Sequence, residues 1–321
     1  MAPQSSSASP ARVTDDVHLL CFRSFTVLES GTTRTAVWSA EALTRDHVLA
    51  ARELRRDNVF HAEDAIAPSD RAELGDYVRS GWDRGHMTPS GDMPDAESQA
   101  ESFSLANMIP QAPRNNRRLW EHIEASTRTL AKSAGEVYVV TGPGYTSAKP
   151  SWLNGRVRIP DLVWKAVYVP HQGAGAYLVR NDAGRDYAIV SIADMTRLTG
   201  IDPFPSLAAS MRQTPYGLPS PTPHRGEDAD VRVAVASLLG RGETVDVASS
   251  RDGAGVGAVK REGRRRRRET AHDDGEDRAS APLGRRTWVP IDILATLESA
   301  IEQTGQMLWQ WLDRAWRDAL R

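Results

Sequence analysis

The sequence predicts an α+β fold, from short β-branched runs ended by turn residues and from one long amphipathic segment set between them. Leu19–Phe22 and Phe25–Leu28 have the composition of early strands. Val137–Thr141 is a β-branched run expected to stop at Gly142 and Pro143. Leu162–Val169 and Tyr187–Ile192 are further strand candidates. Between the early and late strands, Leu119, Ile123, Ser126 and Leu130 recur at helical steps, which predicts a helix over Arg117–Lys132. A shorter helix over Asp194–Thr199 should close at Gly200, with Pro203 and Pro205 beyond it.

These elements assign residues 13–213 to one domain. Residues 1–12 are rich in Ser, Ala and Pro and are expected to be disordered. From residue 214 to 287 the composition turns to Pro, Gly, Arg, Asp and Ser, which predicts a flexible linker. It contains the run Arg264–Arg268, either a solvated charge run or a tethered phosphate-binding arm. Residues 288–321 have Leu294, Leu297, Ile301, Leu308 and Trp311 at steps that predict an amphipathic helix. No solenoid repeat is present.

Of the 321 residues, 40% are hydrophobic and 26% charged, enough for a globular core. The net charge of −2 argues against nucleic-acid binding by bulk charge, so any such binding must use local basic residues. Cys21 is the single cysteine, which excludes an internal disulfide and a cysteine-based zinc site. No apolar run approaches the roughly 20 residues needed to cross a bilayer, so no transmembrane segment is expected. The opening Met1–Pro10 has neither the basic start nor the apolar stretch of a signal peptide, which makes the default expectation cytoplasmic.

Chemistry concentrates at Asp83-Arg84-Gly85-His86. Phosphodiester hydrolysis needs a base for the attacking water, a cation at the phosphate and help for the leaving oxygen. Neutral imidazole is the natural base near pH 7. A guanidinium matches phosphate with forked donors and keeps its charge. Gly85 allows an approach that a Cβ would block. A structural salt bridge between Asp83 and Arg84 would account for the same residues. Downstream, Asn115 and Asn116 open the long helix. Either could be an N-cap worth roughly 1 kcal/mol, or one amide oxygen could bind a hard cation such as Mg²⁺.

The chain resembles the DNA/RNA non-specific endonuclease family, which includes mitochondrial endonuclease G and bacterial nucleases. The resemblance rests on Asp83–His86, on Ala106-Asn107-Met-Ile-Pro110-Gln111, where Ala106 replaces the usual Ser, and on Asn116 with Trp120 four residues on. Glu124, Arg128, the Val139–Pro143 stretch and Ile192–Gly200 extend it over about residues 19–207. It implies a ββα-metal finger over about Asp83–Lys132, on a mixed, mostly antiparallel sheet. It further implies a metal-dependent endonuclease acting on DNA and RNA, with His86 the general base and Asn116 the ligand of Mg²⁺, Mn²⁺ being an alternative. Arg84 would bind the phosphate, and Arg128 and Arg56 would contact substrate, with Arg52 and Arg55 competing for the place of Arg56. Glu124 would act on the metal through water or pair with Arg128. Arg117 and Arg118 depart from the family pattern and could add phosphate contacts. A homodimer is implied as well, and the family is often periplasmic, secreted or organellar.

His18, His47, His61, His171, His224 and His272 have no motif around them, and His122 matches no family position. The alternative reading is a non-catalytic nucleic-acid-binding protein that keeps the fold. A third is a partner-binding protein whose function lies in the C-terminal helix.

Overall fold

The structure, a computed structural model, describes residues 16–240. The expectations for residues 1–12, for Arg264–Arg268 and for the helix over 288–321 fall outside them. Three antiparallel strands open the fold: β1 (Val17–Cys21), β2 (Phe25–Ser30) and β3 (Thr35–Thr44), followed by α1 (Arg45–Ala51). A second unit follows, β4 (Asp83–His86), α2 (Ala96–Ser102), β5 (Met108–Gln111) and α3 (Trp120–Ala134). The chain then returns to the sheet with β6 (Glu136–Gly144), a small hairpin of β7 (Ser151–Leu153) and β8 (Val157–Ile159), β9 (Leu162–Val169), β10 (Gly173–Arg180) and β11 (Asp186–Val190). Helices α4 (Ile192–Thr199) and α5 (Ala209–Gln213), strand β12 (Val231–Arg232) and α6 (Val235–Leu239) close the described part.

The main sheet runs β1-β2-β3-β6-β9-β10-β11-β12 and is antiparallel except for the last pair. This is the mixed, mostly antiparallel α+β architecture expected. Both faces of its centre are covered, so β9 reads as a near-continuous apolar run. Alternate residues serve opposite layers. Leu162, Trp164, Ala166 and Tyr168 join a core layer with Ile192 and Met195 of α4. Val163, Val167 and Val169 join the other, with Trp120, Ile123 and Ala131 of α3. Ile109 of β5 and Met87, the residue after β4, pack into that second layer, which fixes the finger over the sheet.

Two expectations are corrected. Strand β6 does not stop at Gly142-Pro143 but pairs with β9 through Gly144. Trp164 explains this: its ring leaves no room for a Cβ at Gly142, and its Nε1 donates to the Pro143 carbonyl (2.9 Å). Residues 214–240, assigned by composition to a linker, lie against the sheet instead. Tyr216 N donates to Ala174 O (2.8 Å), Leu218 and Leu238 are buried, and β12 pairs with β11. A few apolar anchors hold a segment whose Pro and Gly content reads as unstructured.

Candidate active site

Strand pairing sets the floor of the site. Arg84 lies opposite Pro110 and His86 opposite Met108, so the two functional side chains share one face of β4. Gly85 between them faces the other way, against Gln111. A Cβ there would sit 2.0 Å from Gln111 Oε1, so only glycine fits. Gln111 in turn donates to the Asn115 side chain (2.7 Å), and Asn115 donates to the Arg180 carbonyl (3.1 Å). Asn107 braces the turn after His86 by accepting from Thr88 N (3.0 Å) and donating to Thr88 O and Ser102 O.

The helix that forms the opposite wall starts at Pro113, whose fixed φ suits a first helical position. Asn115–Leu119 form a π-helical turn before α3 begins. On an ideal α-helix, eight residues leave Asn116 and Glu124 about 80° apart, at about 100° per residue. The π turn absorbs one extra residue, leaving about seven effective steps and an offset of only about 20°. Asn116, Glu121, Glu124 and Arg128 thereby line the same cleft as Arg56, Arg84 and His86, a space of about 500 Å³. The sequence-based helix began at Arg117 and could not register this turn. Neither asparagine caps the helix in the expected way. Asn115 is buried and holds the strand end, and Asn116 Nδ2 donates to Asp83 Oδ2 (3.0 Å).

Asp83 does not pair with Arg84. Arg117 holds it with two bonds (2.7 and 2.8 Å). Arg118 pairs with Glu227. Both extra arginines thus pair with carboxylates of the protein, while their side chains stay more than half exposed. Arg84 is free of any carboxylate partner among the described residues, and its guanidinium stacks 4.0 Å from the Phe60 ring centre. Arg56 lies 5.5 Å from the Phe103 ring, its Nε donating to Asn58 Oδ1 (2.7 Å).

His86 is buried between Phe103 and Phe60, with ring centres 5.0 and 5.7 Å away. Burial first, then Arg56 and Arg84, push its pKa down to about 3, so the imidazole is neutral near pH 7. Its Nε2 has no hydrogen-bond partner among the described residues. Glu124 behaves oppositely: burial pushes its carboxyl up to about 7, opposed by Arg128 and Lys165. Arg128 donates to Asp92 (3.0 Å) and lies 3.8 Å from Glu121, so its main partner is not the Glu124 expected at i+4.

Sequence reasoning missed the polar groups beneath the cleft. Glu41 and Lys165 occupy inward positions of β3 and β9 on the α3 side of the sheet. Burial and the neighbouring Asp92 hold the Glu41 carboxyl well above the usual carboxylate range. Asp92 then fixes Arg128, while Lys165 donates to Thr141 Oγ1 (2.7 Å). The lysine inside the apolar run Leu162–Val169 was the available signal.

Comparison with known proteins gives a consistent family. The profile of a family described as DNA/RNA non-specific endonuclease matches residues 4–210. A nuclease of Nostoc sp. is 34% identical over 51% of this chain and 59% of its own length. Nuclease C1 of Cunninghamella echinulata is 36% identical over 47% of this chain and 66% of its own. The chain thus spans less than two thirds of either relative. A chain from the solved EndoG/EndoGI complex is similar with a TM-score of 0.49 and 25% identity, over 60% of this chain and 91% of that one.

Proposed function

The chain belongs to the DNA/RNA non-specific endonuclease family, and from that premise we propose that it hydrolyses phosphodiester bonds of DNA and RNA with the help of Mg²⁺ or Mn²⁺. The observation that carries the reading is a neutral, buried imidazole whose Nε2 is unpartnered, in the same cleft as Asn116. The Asn116 amide nitrogen is committed to Asp83, which leaves its oxygen as the end available to another group. Amide and carboxylate oxygens suit a hard cation that keeps most of its water, so Asn116, with Glu124 acting through water, fits Mg²⁺. When bound, the ion supplies Lewis-acid stabilisation of charge at the phosphate and the leaving 3′ oxygen.

His86 Nε2 takes the proton of the attacking water. A pKa near 3 makes it a weak base in the free protein, yet two of the three causes of that value are Arg56 and Arg84. A phosphate seated on those guanidiniums offsets their charge, so the imidazole strengthens as a base when substrate is present. Arg84, its guanidinium carbon 4.0 Å from the Phe60 ring centre, presents its donors to the phosphate. Arg128, anchored by Asp92, adds positive charge from the helix wall. Backbone-directed contacts of this kind carry little sequence information, in keeping with a non-specific enzyme.

The non-catalytic reading is disfavoured by His86 and Asn116 together, because a binding module has no use for a poised base. Nicking of supercoiled plasmid separates the two: we expect cleavage with Mg²⁺ and arrest by EDTA, and no cleavage under any divalent cation would sink the enzyme reading. The reading also carries a homodimer, which sedimentation velocity measures.

A further inference from the structure

Behind the cleft wall, α3 turns a second polar face toward residues 224–230. His122 is buried, and both its ring nitrogens meet carboxylates: Nδ1 lies 2.7 Å from Asp230 Oδ2 and Nε2 lies 2.7 Å from Glu227 Oε2. An imidazolium would donate to both carboxylates, whereas a neutral imidazole has one N–H and leaves the other nitrogen free to ligate a cation. The Asp230 carboxylate is itself buried, and in the tautomer with the proton on Nδ1 it accepts that proton's hydrogen bond. The lone pair of Nε2 then points at Glu227. His224 Nε2 lies 2.6 Å from Glu121 Oε2, and its ring stands edge-on to His122 at 5.4 Å. Ligand atoms of Glu121, His122 and His224 all lie within 4.8 Å of one another.

The turn that delivers these groups is specific. Glu227 N donates to His224 O (3.0 Å), and Gly226 adopts φ +90°, the conformation a glycine supplies at the third position of such a turn. It sets His224 and Glu227 against α3 beside His122. Arg118 takes the other oxygen of Glu227, leaving Oε2 turned to His122 Nε2.

We propose that His122 Nε2, His224 Nε2, Glu121 and Glu227 form a transition-metal site, with Zn²⁺ the fitting ion. Two imidazoles and carboxylate oxygens at about 2.0–2.2 Å are zinc chemistry, and Mg²⁺ prefers all-oxygen sites. A carboxylate on the far nitrogen of a metal-bound imidazole, the place of Asp230, is the usual way such a ligand is oriented. His122, His224 and Glu227 do not line the cleft, so this site is separate from the one around Asn116. Its ion ties residues 224–230 to α3. Because Glu121 also lines the cleft and lies 3.8 Å from Arg128, the tie reaches the helix wall of the active site.

The test is Co²⁺ and Zn²⁺ binding to the full chain with Mg²⁺ in excess, using the wild type, His224→Ala and His86→Ala. His224 is exposed, so its removal leaves the fold intact. We expect visible Co²⁺ absorption of a four- or five-coordinate site, displaced by Zn²⁺, and a Zn²⁺-dependent rise in melting temperature. His224→Ala should weaken both ions more than tenfold and abolish the rise, while His86→Ala keeps both. Equal binding in His224→Ala and wild type, or loss in His86→Ala instead, overturns the proposal.

Discussion

The cleft wall that carries His86 and the wall that carries Asn116 act on titratable groups in opposite directions. On the strand wall, burial and two guanidiniums hold an imidazole neutral, its pKa near 3. On the helix wall, burial raises the Glu124 carboxyl to about 7, and Asp92 and Glu121 add to the acidity of the surroundings. The proposed function, with a phosphate on one side and a cation on the other, needs this division. Under that proposal a bound anion would offset the guanidiniums beside the imidazole, and a bound cation would favour the ionised carboxyl. The walls also differ in support. The strand wall rests on Gln111, Asn107 and aromatic rings, whereas the helix wall is backed by residues 214–240.

The largest expected effect is on the strand wall. His86→Ala should lower the turnover rate by about 10²–10⁴-fold, as loss of a general base does, with circular dichroism showing an unchanged secondary structure. Activity within a factor of two of wild type would remove His86 from the mechanism. On the other side, a chain ended after Gln213 should be less stable than one ended after Gly240 by several kcal/mol, since burying each of Leu218 and Leu238 stabilises by about 1.5–3 kcal/mol. Equal melting temperatures for the two would show that residues 214–240 do not back the helix. Gly85→Ala tests the join between the walls. Its Cβ must displace Gln111 from Asn115, costing about 1–3 kcal/mol in denaturant unfolding.

The smallest effects are in pH. The folded pKa of His86 lies below its ordinary 6.5, at about 3, so its contribution to stability is full above pH 6.5 and is lost as pH falls toward 3. The folded pKa of Glu124 lies above its ordinary 4.5, at about 7, so its contribution is full below pH 4.5 and is lost as pH rises through 7. Metal-free Glu124→Gln should therefore show a flatter stability profile between these limits than wild type. Kinetically, substrate should raise the His86 pKa, placing the acid limb of kcat at higher pH than that of kcat/KM. Coincident limbs would show that Arg56 and Arg84 do not hold the phosphate.

How much of this was legible depended on where the physics is local. Asp83–His86 stood out by residue type, Asn116 was preferred to Asn115 only through the family resemblance, and β9 matched its apolar run from Leu162 to Val169. Strands β3 and β10 passed unnoticed because their alanines and glycines have little strand preference of their own; pairing with neighbours makes them strands. The π turn at Asn115–Leu119 has no residue signature, yet it decides that Asn116 and Glu124 share a face. Glu41, Asp92 and Glu121 come from distant parts of the chain, and only the fold brings them under one cleft.

The most direct test of the two-walled account is initial rate against Mg²⁺ concentration for wild type, His86→Ala, Asn116→Ala and Asn115→Ala. The account predicts that His86→Ala lowers the plateau and leaves the half-saturating concentration in place. Asn116→Ala should move that concentration upward, and Asn115→Ala should lower thermal stability alone. A His86→Ala protein restored to the wild-type plateau by added Mg²⁺, or a metal effect carried by Asn115 and absent from Asn116, would contradict it.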